Sequence, residues 1–194
     1  MPSYGIVVEG DADAQVFEHL IKKVNSPNAS IYCRICGGVE SLMRKFPVLL
    51  KTFEYEHNGG PVDGALVIRD CDRKSPATVL AQMRERLGQR AYSFPRGVEL
   101  CAVNKQLDSW LLADEAAINA VSRARQGREI ARINETIEDI THPKEMLQKK
   151  LNEARLIYTA AVLGEIAAAV DLKQLAYRSP SFRAFQENVL RIYR

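Results

Sequence analysis

Short apolar segments alternate with amphipathic helical patterns through residues 1–115 of the chain. Segments that start at Tyr4, Ser30, Ala65 and Val98 have the composition of buried strands, and each is followed by apolar residues at helical spacing. Strands separated by helices are joined by crossover connections, which make them parallel. The alternation predicts an α/β fold with a mostly parallel, four-stranded sheet flanked by helices.

The strand patterns stop near Glu115, and only helical patterns follow. These patterns cover residues 118–140, 143–170 and 181–193. No linker rich in proline, glycine or serine separates them from the preceding residues. We therefore expect an α/β core of residues 1–115 and a helical C-terminal part, residues 116–194, that packs against it.

Two prolines give expectations about helix boundaries. Pro47 lies inside the helical pattern of residues 39–57 and is expected to break or restart that helix. Ser75 and Pro76 are expected to begin the next helix, with serine as the N-cap and proline at the first helical position. After the fourth strand, one helix is expected over residues 106–118.

The composition is that of an ordinary globular protein, with 46% hydrophobic and 26% charged residues. No apolar run approaches the roughly 18 residues that a bilayer span needs. Glu9, Asp11 and Asp13 interrupt any basic-then-apolar signal segment at the start. We therefore expect a cytoplasmic protein with no membrane partner. The net charge of +3 neither requires nor excludes nucleic-acid binding.

The cysteines do not form a zinc motif. Cys33 and Cys36 make one C-x-x-C pair, whereas a zinc ribbon needs two, and Cys71 and Cys101 stand alone. Residues three apart on a strand point to opposite faces of the sheet. We expect buried strand cysteines in a reducing cytoplasm.

Carboxylates cluster where the first strand turns into the first helix. Glu9, Asp11 and Asp13 follow the strand within five residues, separated only by glycine and alanine. Asp11 or Asp13 could simply cap the helix, because aspartate accepts hydrogen bonds from the first amides of a helix. A single carboxylate is enough for capping, so this role does not explain all three.

A second acidic cluster follows the third strand. Asp70 and Asp72 emerge there, and the C-terminal ends of parallel strands lie along one edge of a sheet. Glu9, Asp13 and this pair are thus expected close together, where they would raise each other's pKa values unless a cation intervened. Mg²⁺ prefers oxygen ligands and is usually held by one or two carboxylates together with water and phosphate. The sequence therefore predicts a divalent metal site.

The fourth strand-to-helix junction adds Lys105 and Asp108. Asp108 is either a ligand at a second metal site, or a third acid, or an exposed acid in the first turn of a helix. Lys105 either contacts a phosphate group or is a solvated lysine. Further along, Arg125, Arg128 and Arg132 have the spacing of one helix face. With the nearby Arg123, they could contact a phosphate backbone or form a solvated charged face.

The order of these motifs resembles the Toprim domain of topoisomerases, primases and some nucleases. The E-G pair at Glu9 and the D-x-D at Asp70 carry the resemblance, and the fuller "EGDAD" looks like the OLD-type nuclease branch. The later stretches "LDSWLLAD", "HPKEML" and "SPSFRAF" resemble a bacterial Toprim-like family of unknown function. The resemblance spans most of the chain. It differs at Asp108, where that pattern has glutamate, whose side chain reaches further.

The resemblance implies a Toprim-like, Rossmann-like fold and phosphodiester cleavage that depends on Mg²⁺ or Mn²⁺, with one or two ions. It implies Glu9 as a general acid/base or ligand, Asp70 and Asp72 as ligands, and Asp13 as a ligand of a second ion; Asp11 has no counterpart. Lys105 joins the predicted catalytic residues, and Asp108 joins the predicted ligands. It also implies a nucleic-acid substrate and a role in phage defence beside an OLD-like ATPase partner.

Two other functions remain open from the sequence. One is a Toprim-like subunit that binds metal or nucleic acid without cleaving, because ligands can persist where turnover is lost. The other is a D-x-D phosphatase, in which the first aspartate is a nucleophile. That motif normally lies on the first strand, and here it lies on the third, which would leave Glu9 without a role.

Overall fold

The computed structural model describes residues 1–25 and 27–193. Its four strands are β1 (Ser3–Val8), β2 (Ser30–Ile35), β3 (Gly64–Asp70) and β4 (Val98–Val103). All adjacent strands are parallel, in the order β2-β1-β3-β4. The predicted α/β class with a four-stranded parallel sheet is confirmed.

Helices cover both faces of the sheet and form most of the C-terminal half. Their bounds are α1 (Asp11–Val24), α2 (Val39–Thr52), α3 (Pro76–Leu87), α4 (Asp108–Leu112), α5 (Glu115–Ala124), α6 (Pro143–Glu153), α7 (Ala160–Ala169), α8 (Leu172–Arg178) and α9 (Pro180–Tyr193). Short 3₁₀ turns cover Phe53–Tyr55 and Ile137–Asp139. As predicted, Ser75 caps α3, its Oγ accepting a hydrogen bond from the amide of Thr78 at 3.2 Å, and Pro76 is the first helical residue.

The sheet separates two hydrophobic cores. Alternation along β3 sends Leu66 and Ile68 into a larger core and Ala65 and Val67 into a smaller one. We call these sides of the sheet the first face and the second face. The first face is covered by α1 and the C-terminal helices, and the second by α2 and α3.

The C-terminal helices contribute to the core of the first face. An aromatic cluster joins Phe17 of α1 and Trp110 of α4 to Phe182 and Phe185 of α9, with ring centroids 5.2–6.0 Å apart. All four rings are at most 2% exposed. The α/β elements and the helical part are thus packed around shared apolar side chains. The division at residue 115 stays a prediction.

The four cysteines are free thiols. Cys33 and Cys36 lie on opposite faces of the sheet, as predicted. Cys33 packs against the larger core and Cys36 belongs to the smaller one. Burial raises the pKa of Cys33 to about 12, so its thiol stays protonated. In the part of the chain that the structure describes, no helix is both long and apolar enough to cross a membrane.

Helix α2 continues through Pro47, so the expectation of a break there was wrong. Proline has no amide hydrogen, and the carbonyl of Met43, four residues earlier, loses its usual helical partner. Arg86 of α3 replaces that partner, with its Nε donating to the Met43 carbonyl at 2.9 Å and its Nη2 to the Arg44 carbonyl at 2.8 Å. Pro47 itself is buried against the second face.

The predicted helix over residues 118–140 was also wrong beyond Ala124. Gly127 donates its amide to the carbonyl of Ser122 at 2.8 Å, which closes the turn that ends α5. The Ser122 hydroxyl then bonds to the carbonyl of Arg128 in the outgoing chain, at 2.7 Å, and to the carbonyl of Ala154 at the end of α6, at 2.9 Å. A side chain at position 127 would lie 2.3 Å from the Ala154 carbonyl, so the turn needs glycine.

Two other predicted helices are each divided in two. The helix over 106–118 divides at Asp114, whose carboxylate accepts from the amides of Ala116 and Ala117 at 3.1 and 3.2 Å and so begins α5. The helix over 143–170 divides at residues 154–159, where Arg155 has a φ of 61°. The polar side chain of Asp114 and the left-handed backbone at Arg155 thus interrupt helices that the apolar spacing alone would continue.

Candidate active site

The structure places the predicted acids around the C-terminal ends of β1, β3 and β4. Glu9 follows β1 directly, Asp70 ends β3, and Asp108 begins α4 just after β4. Hydrogen bonds join these ends, since the amide of Asp70 donates to Glu9 Oε1 at 3.2 Å and the amide of Leu107 donates to Asp70 Oδ1 at 3.1 Å. Side chains far apart in sequence are thereby brought to one edge of the sheet.

Asp70 lies at the centre of this acidic cluster, which we define as Glu9, Asp13, Asp70, Asp72 and Asp108. Burial raises the pKa of Asp70 well above its ordinary value, and the charges of the four other acids raise it further. The charges of acids from three separate segments thus act on Asp70. A proton or a cation at Asp70 would relieve their repulsion.

Glu9 is held by backbone bonds at the tight turn that follows β2. Its carbonyl accepts from the amides of Gly37 and Gly38 at 2.8 and 3.0 Å, and these glycines have φ values of 78° and 110°. Burial raises the pKa of the Glu9 carboxyl, with further contributions from the charges of Asp13 and Asp72. The carboxyl therefore takes up a proton more readily than a solvated glutamate.

The capping interpretation applies to Asp13 and not to Asp11. Asp13 Oδ2 accepts from the amide of Gly10, the N-cap of α1, at 2.8 Å, whereas Asp11 is exposed. Burial raises the pKa of Asp13, and the charge of Asp108 raises it further. Asp13 thus combines a structural bond with membership of the acidic cluster.

Asp108 is 8% exposed, so the alternative of an exposed acid in a helical first turn was wrong. Burial raises the pKa of its carboxyl, and a 2.6 Å hydrogen bond from the Tyr158 hydroxyl to Oδ1 opposes that effect. Burial and the charges of Asp108, Asp13 and Asp70 raise the pKa of Tyr158. Sequence reasoning missed Tyr158, because it lies in a segment predicted as a continuous helix and carries no motif.

Asp72 and Lys105 lie at the exposed side of the cluster. The amide of Asp72 donates to the carbonyl of Lys105 at 2.8 Å, and the two residues have φ values of 50° and 56°. Asp72 Oδ1 accepts from Gln106 Nε2 at 3.2 Å. Lys105 Nζ donates to the carbonyl of Ile140 at 2.9 Å. Asp72, Lys105 and Gln106 line one cavity of about 520 Å³.

The donor set suits a hard divalent cation held with water. Every member of the acidic cluster offers carboxylate oxygens. Burial raises the pKa values of Glu9, Asp13, Asp70 and Asp108, and neighbouring carboxylates raise those of Glu9, Asp13 and Asp70 further. Among residues 1–25 and 27–193, however, no three His, Cys, Asp or Glu side chains are close enough together to enclose a metal ion. An ion here would be held by at most two of these carboxylates, and water would have to complete its coordination.

Comparison with known proteins identifies the family. A family model described as "Protein of unknown function (DUF3226)" matches residues 3–121. The chain belongs to this family. No curated protein shows significant similarity to it. Among solved structures, the C-terminal region of the Burkholderia pseudomallei OLD protein matches with a TM-score of 0.45 and 14% identity, over 98% of this chain and 96% of that one.

The arginines predicted to contact nucleic acid do not share a helix face. Helix α5 ends at Ala124, and Arg125, Arg128 and Arg132 lie beyond it, so that prediction was wrong. Arg125 forms a two-bond ion pair with Glu165, at 2.6 and 2.9 Å. Arg123 pairs with Glu129, and Arg132 approaches Glu115 at 3.9 Å. A role in nucleic-acid binding stays a prediction for these arginines, without the geometry that motivated it.

Proposed function

We propose that the chain is a Toprim-like nuclease that cleaves phosphodiester bonds of nucleic acid with Mg²⁺ or Mn²⁺. The observation that carries the proposal is the partly buried acidic cluster around Asp70 at the C-terminal edge of a parallel sheet. Burial raises the pKa of Asp70 well above the ordinary value, and the neighbouring carboxylates raise it further. Repulsion between like charges destabilises a fold, and a bound cation would offset it.

The residues present divide into ligands and proton-transfer groups. Asp70 and Asp72 would hold the ion, with Asp13 and Asp108 on the side of a second one. A bound divalent ion supplies charge stabilisation at the phosphate and lowers the pKa of bound water. Glu9, whose pKa is raised, is suited to take and return a proton as general acid/base. Lys105, on the cavity that Asp72 also lines, would contact a phosphate oxygen.

The partners that we propose come from the motif resemblance. They are a nucleic-acid substrate, DNA or RNA, and an OLD-like ATPase that acts with the chain in phage defence in the cytoplasm. The second candidate function is a subunit that binds metal or nucleic acid without cleaving. It is favoured by two observations: the described residues enclose no three-ligand site, and Lys105 is bonded to the Ile140 carbonyl.

Cleavage assays separate the two candidates. The full chain is incubated with supercoiled plasmid, single-stranded DNA and RNA in Mg²⁺, Mn²⁺ or EDTA. We expect cleavage only when Mg²⁺ or Mn²⁺ is present. In the double variant Asp70→Asn/Asp72→Asn, cleavage should fall to the level found in EDTA. Asp11→Asn/Glu187→Gln removes two exposed acids and serves as the matched control. If the protein binds Mn²⁺ and still leaves every substrate intact, alone and with its ATPase partner, the nuclease proposal is wrong.

A further inference from the structure

Arg69 precedes Asp70 on β3, and alternation along the strand sends its side chain to the opposite face of the sheet. It lies on the second face, between α2 and α3, and is 7% exposed. A guanidinium stays charged in proteins, so burial at this level requires a compensating partner.

The protein supplies little compensation. Arg69 Nη1 donates to the neutral amide oxygen of Gln82 at 3.3 Å, and Nε is buried without a hydrogen-bond partner in the described structure. Lys74 Nζ donates to the same Gln82 oxygen, also at 3.3 Å. Neither cation forms an ion pair with a carboxylate of the described residues. Two positive charges therefore share one neutral acceptor.

Two cavities, of about 720 and 520 Å³, lie at this position, and Val39, Arg69 and Lys74 line both. Val39 is the first residue of α2. The first bond within α2 runs from the amide of Leu42 to the carbonyl of Gly38, and no side chain caps the helix. The amides of the first turn thus have no acceptor within the helix, and the positive end of its dipole meets the cavities.

We propose that Arg69, Lys74 and the N-terminus of α2 form a binding site for a phosphate group. A phosphate offers several oxygens to guanidinium, ammonium and amide donors at once, and helix N-termini are suited to such anions. Glu40 and Glu85 also line the larger cavity, without pairing with Arg69 or Lys74. Arg86 and Arg90 line it as well, so its lining has four cationic side chains, two carboxylates and a net positive charge.

The smaller cavity connects this phosphate site to the acidic cluster, because Asp72, Lys105 and Gln106 line it together with Arg69. A nucleic-acid chain cleaved at the cluster would place a neighbouring phosphate at Arg69. This extension rests on the proposed function. The same chemistry would also bind free inorganic phosphate, and the two sources can be separated by experiment.

The test uses the full chain in EDTA, so that no cleavage contributes to the result. Melting temperatures are measured in inorganic phosphate and in chloride of equal ionic strength, and fluorescence anisotropy follows a labelled single-stranded DNA oligonucleotide. The variants are Arg69→Met and Lys74→Met; the second changes an exposed side chain and tests the site even if the first does not fold. Arg84→Met, an exposed arginine on α3 that lines neither cavity, is the matched control.

We expect phosphate to raise the melting temperature of the wild type and of Arg84→Met, and not that of the two site variants. Arg69→Met should weaken oligonucleotide binding about tenfold or more, since a hydrogen bond to a charged group contributes at least that factor. Equal stabilisation of all four proteins by phosphate, or none of the wild type, would overturn the site. Binding of free phosphate alone would support the site and overturn its extension to nucleic acid.

These results are independent of the cleavage assay. A protein that cleaves with metal and shows no phosphate effect at Arg69 refutes the phosphate site and leaves the nuclease proposal standing. A protein that binds phosphate through Arg69 and cleaves nothing supports the phosphate site and refutes the nuclease proposal.

Discussion

Asp70 and Arg69 are neighbours on one strand, and their surroundings differ in almost every respect. Asp70 lies on the first face among four other acids, next to a core closed by the C-terminal helices. Arg69 lies on the second face, beside two cavities, with a neutral amide as its partner. Strand alternation sends the two side chains to opposite faces, and no ion pair joins them. Our two proposals assign a cation to the first face and an anion to the second.

The largest expected effect concerns the closed core of the first face. Phe185→Ala removes a ring that contacts both Phe17 and Trp110 and should cost roughly 3–5 kcal/mol of stability, as for other buried Phe→Ala changes. Because α9 shares its core with β1 and α1, the whole described protein should unfold in one transition. Urea denaturation followed by tryptophan fluorescence and by circular dichroism measures this.

Phe46→Ala on the second face is the matched substitution, since Phe46 is also fully buried. It should be similarly destabilising. Two separate transitions in Phe185→Ala, or limited proteolysis that releases a stable fragment of residues 1–115, would show that the helices do not depend on the shared core.

The second prediction concerns the cation. Mn²⁺ at a hundredfold excess over its dissociation constant should stabilise the wild type by ~2.7 kcal/mol, which for a chain of this size is roughly 5–10 °C in melting temperature. In Asp70→Asn/Asp72→Asn the shift should vanish, while the protein in EDTA should be as stable as the wild type or more stable. If the wild type shows no shift and the double variant melts early in EDTA, these acids are structural caps.

The sequence predicted what depends on pattern and order. The β–α alternation indicated the parallel sheet, and a parallel sheet brings strand ends to one edge, so Glu9, Asp13, Asp70 and Asp72 were expected close together. The sequence left Asp108 open between a metal ligand, a third acid and an exposed acid. The sequence could not show that Tyr158 bonds to Asp108 or that Arg69 is buried without a counter-ion, because both depend on how distant segments pack. The prediction of an uninterrupted helix beyond Ala124 was wrong, because the turn at Gly127 ends α5 even though the apolar pattern continues.

The third prediction is a pH dependence confined to the first face. Asp70, Glu9, Asp13 and Asp108 have raised pKa values in the folded protein, so it holds protons that the unfolded chain has already released above about pH 4. Their contribution to stability is therefore fully present below that pH and is lost as the pH rises through the folded pKa values.

In EDTA, the advantage of Asp70→Asn over the wild type should thus grow from pH 5 to about pH 8. Chemical denaturation at each pH measures the difference, and the same series on Asp11→Asn, an exposed neighbour, is the control. Glu54, Glu138 and Glu165 have lowered pKa values, and their opposite contribution falls mainly below this range. A constant difference between Asp70→Asn and the wild type would mean that the Asp70 carboxyl titrates normally.

The smallest effect tests the second face, where α2 passes through Pro47. Arg86→Met removes the donors to the carbonyls of Met43 and Arg44 and should cost about 1 kcal/mol, the usual net value of such bonds. Arg84→Met, on the same helix without these bonds, is the control.

A double-mutant cycle identifies the cause of that cost. In Pro47→Ala, residue 47 regains an amide that can donate to the Met43 carbonyl, so the Arg86 side chain is no longer needed there. The cost of Arg86→Met should then be smaller in the Pro47→Ala background than in the wild type, which gives a measurable coupling between two residues on different helices. Equal costs in both backgrounds would show that Arg86 stabilises the second face through other contacts. The continuity of α2 through its proline would then be due to the burial of Pro47 itself.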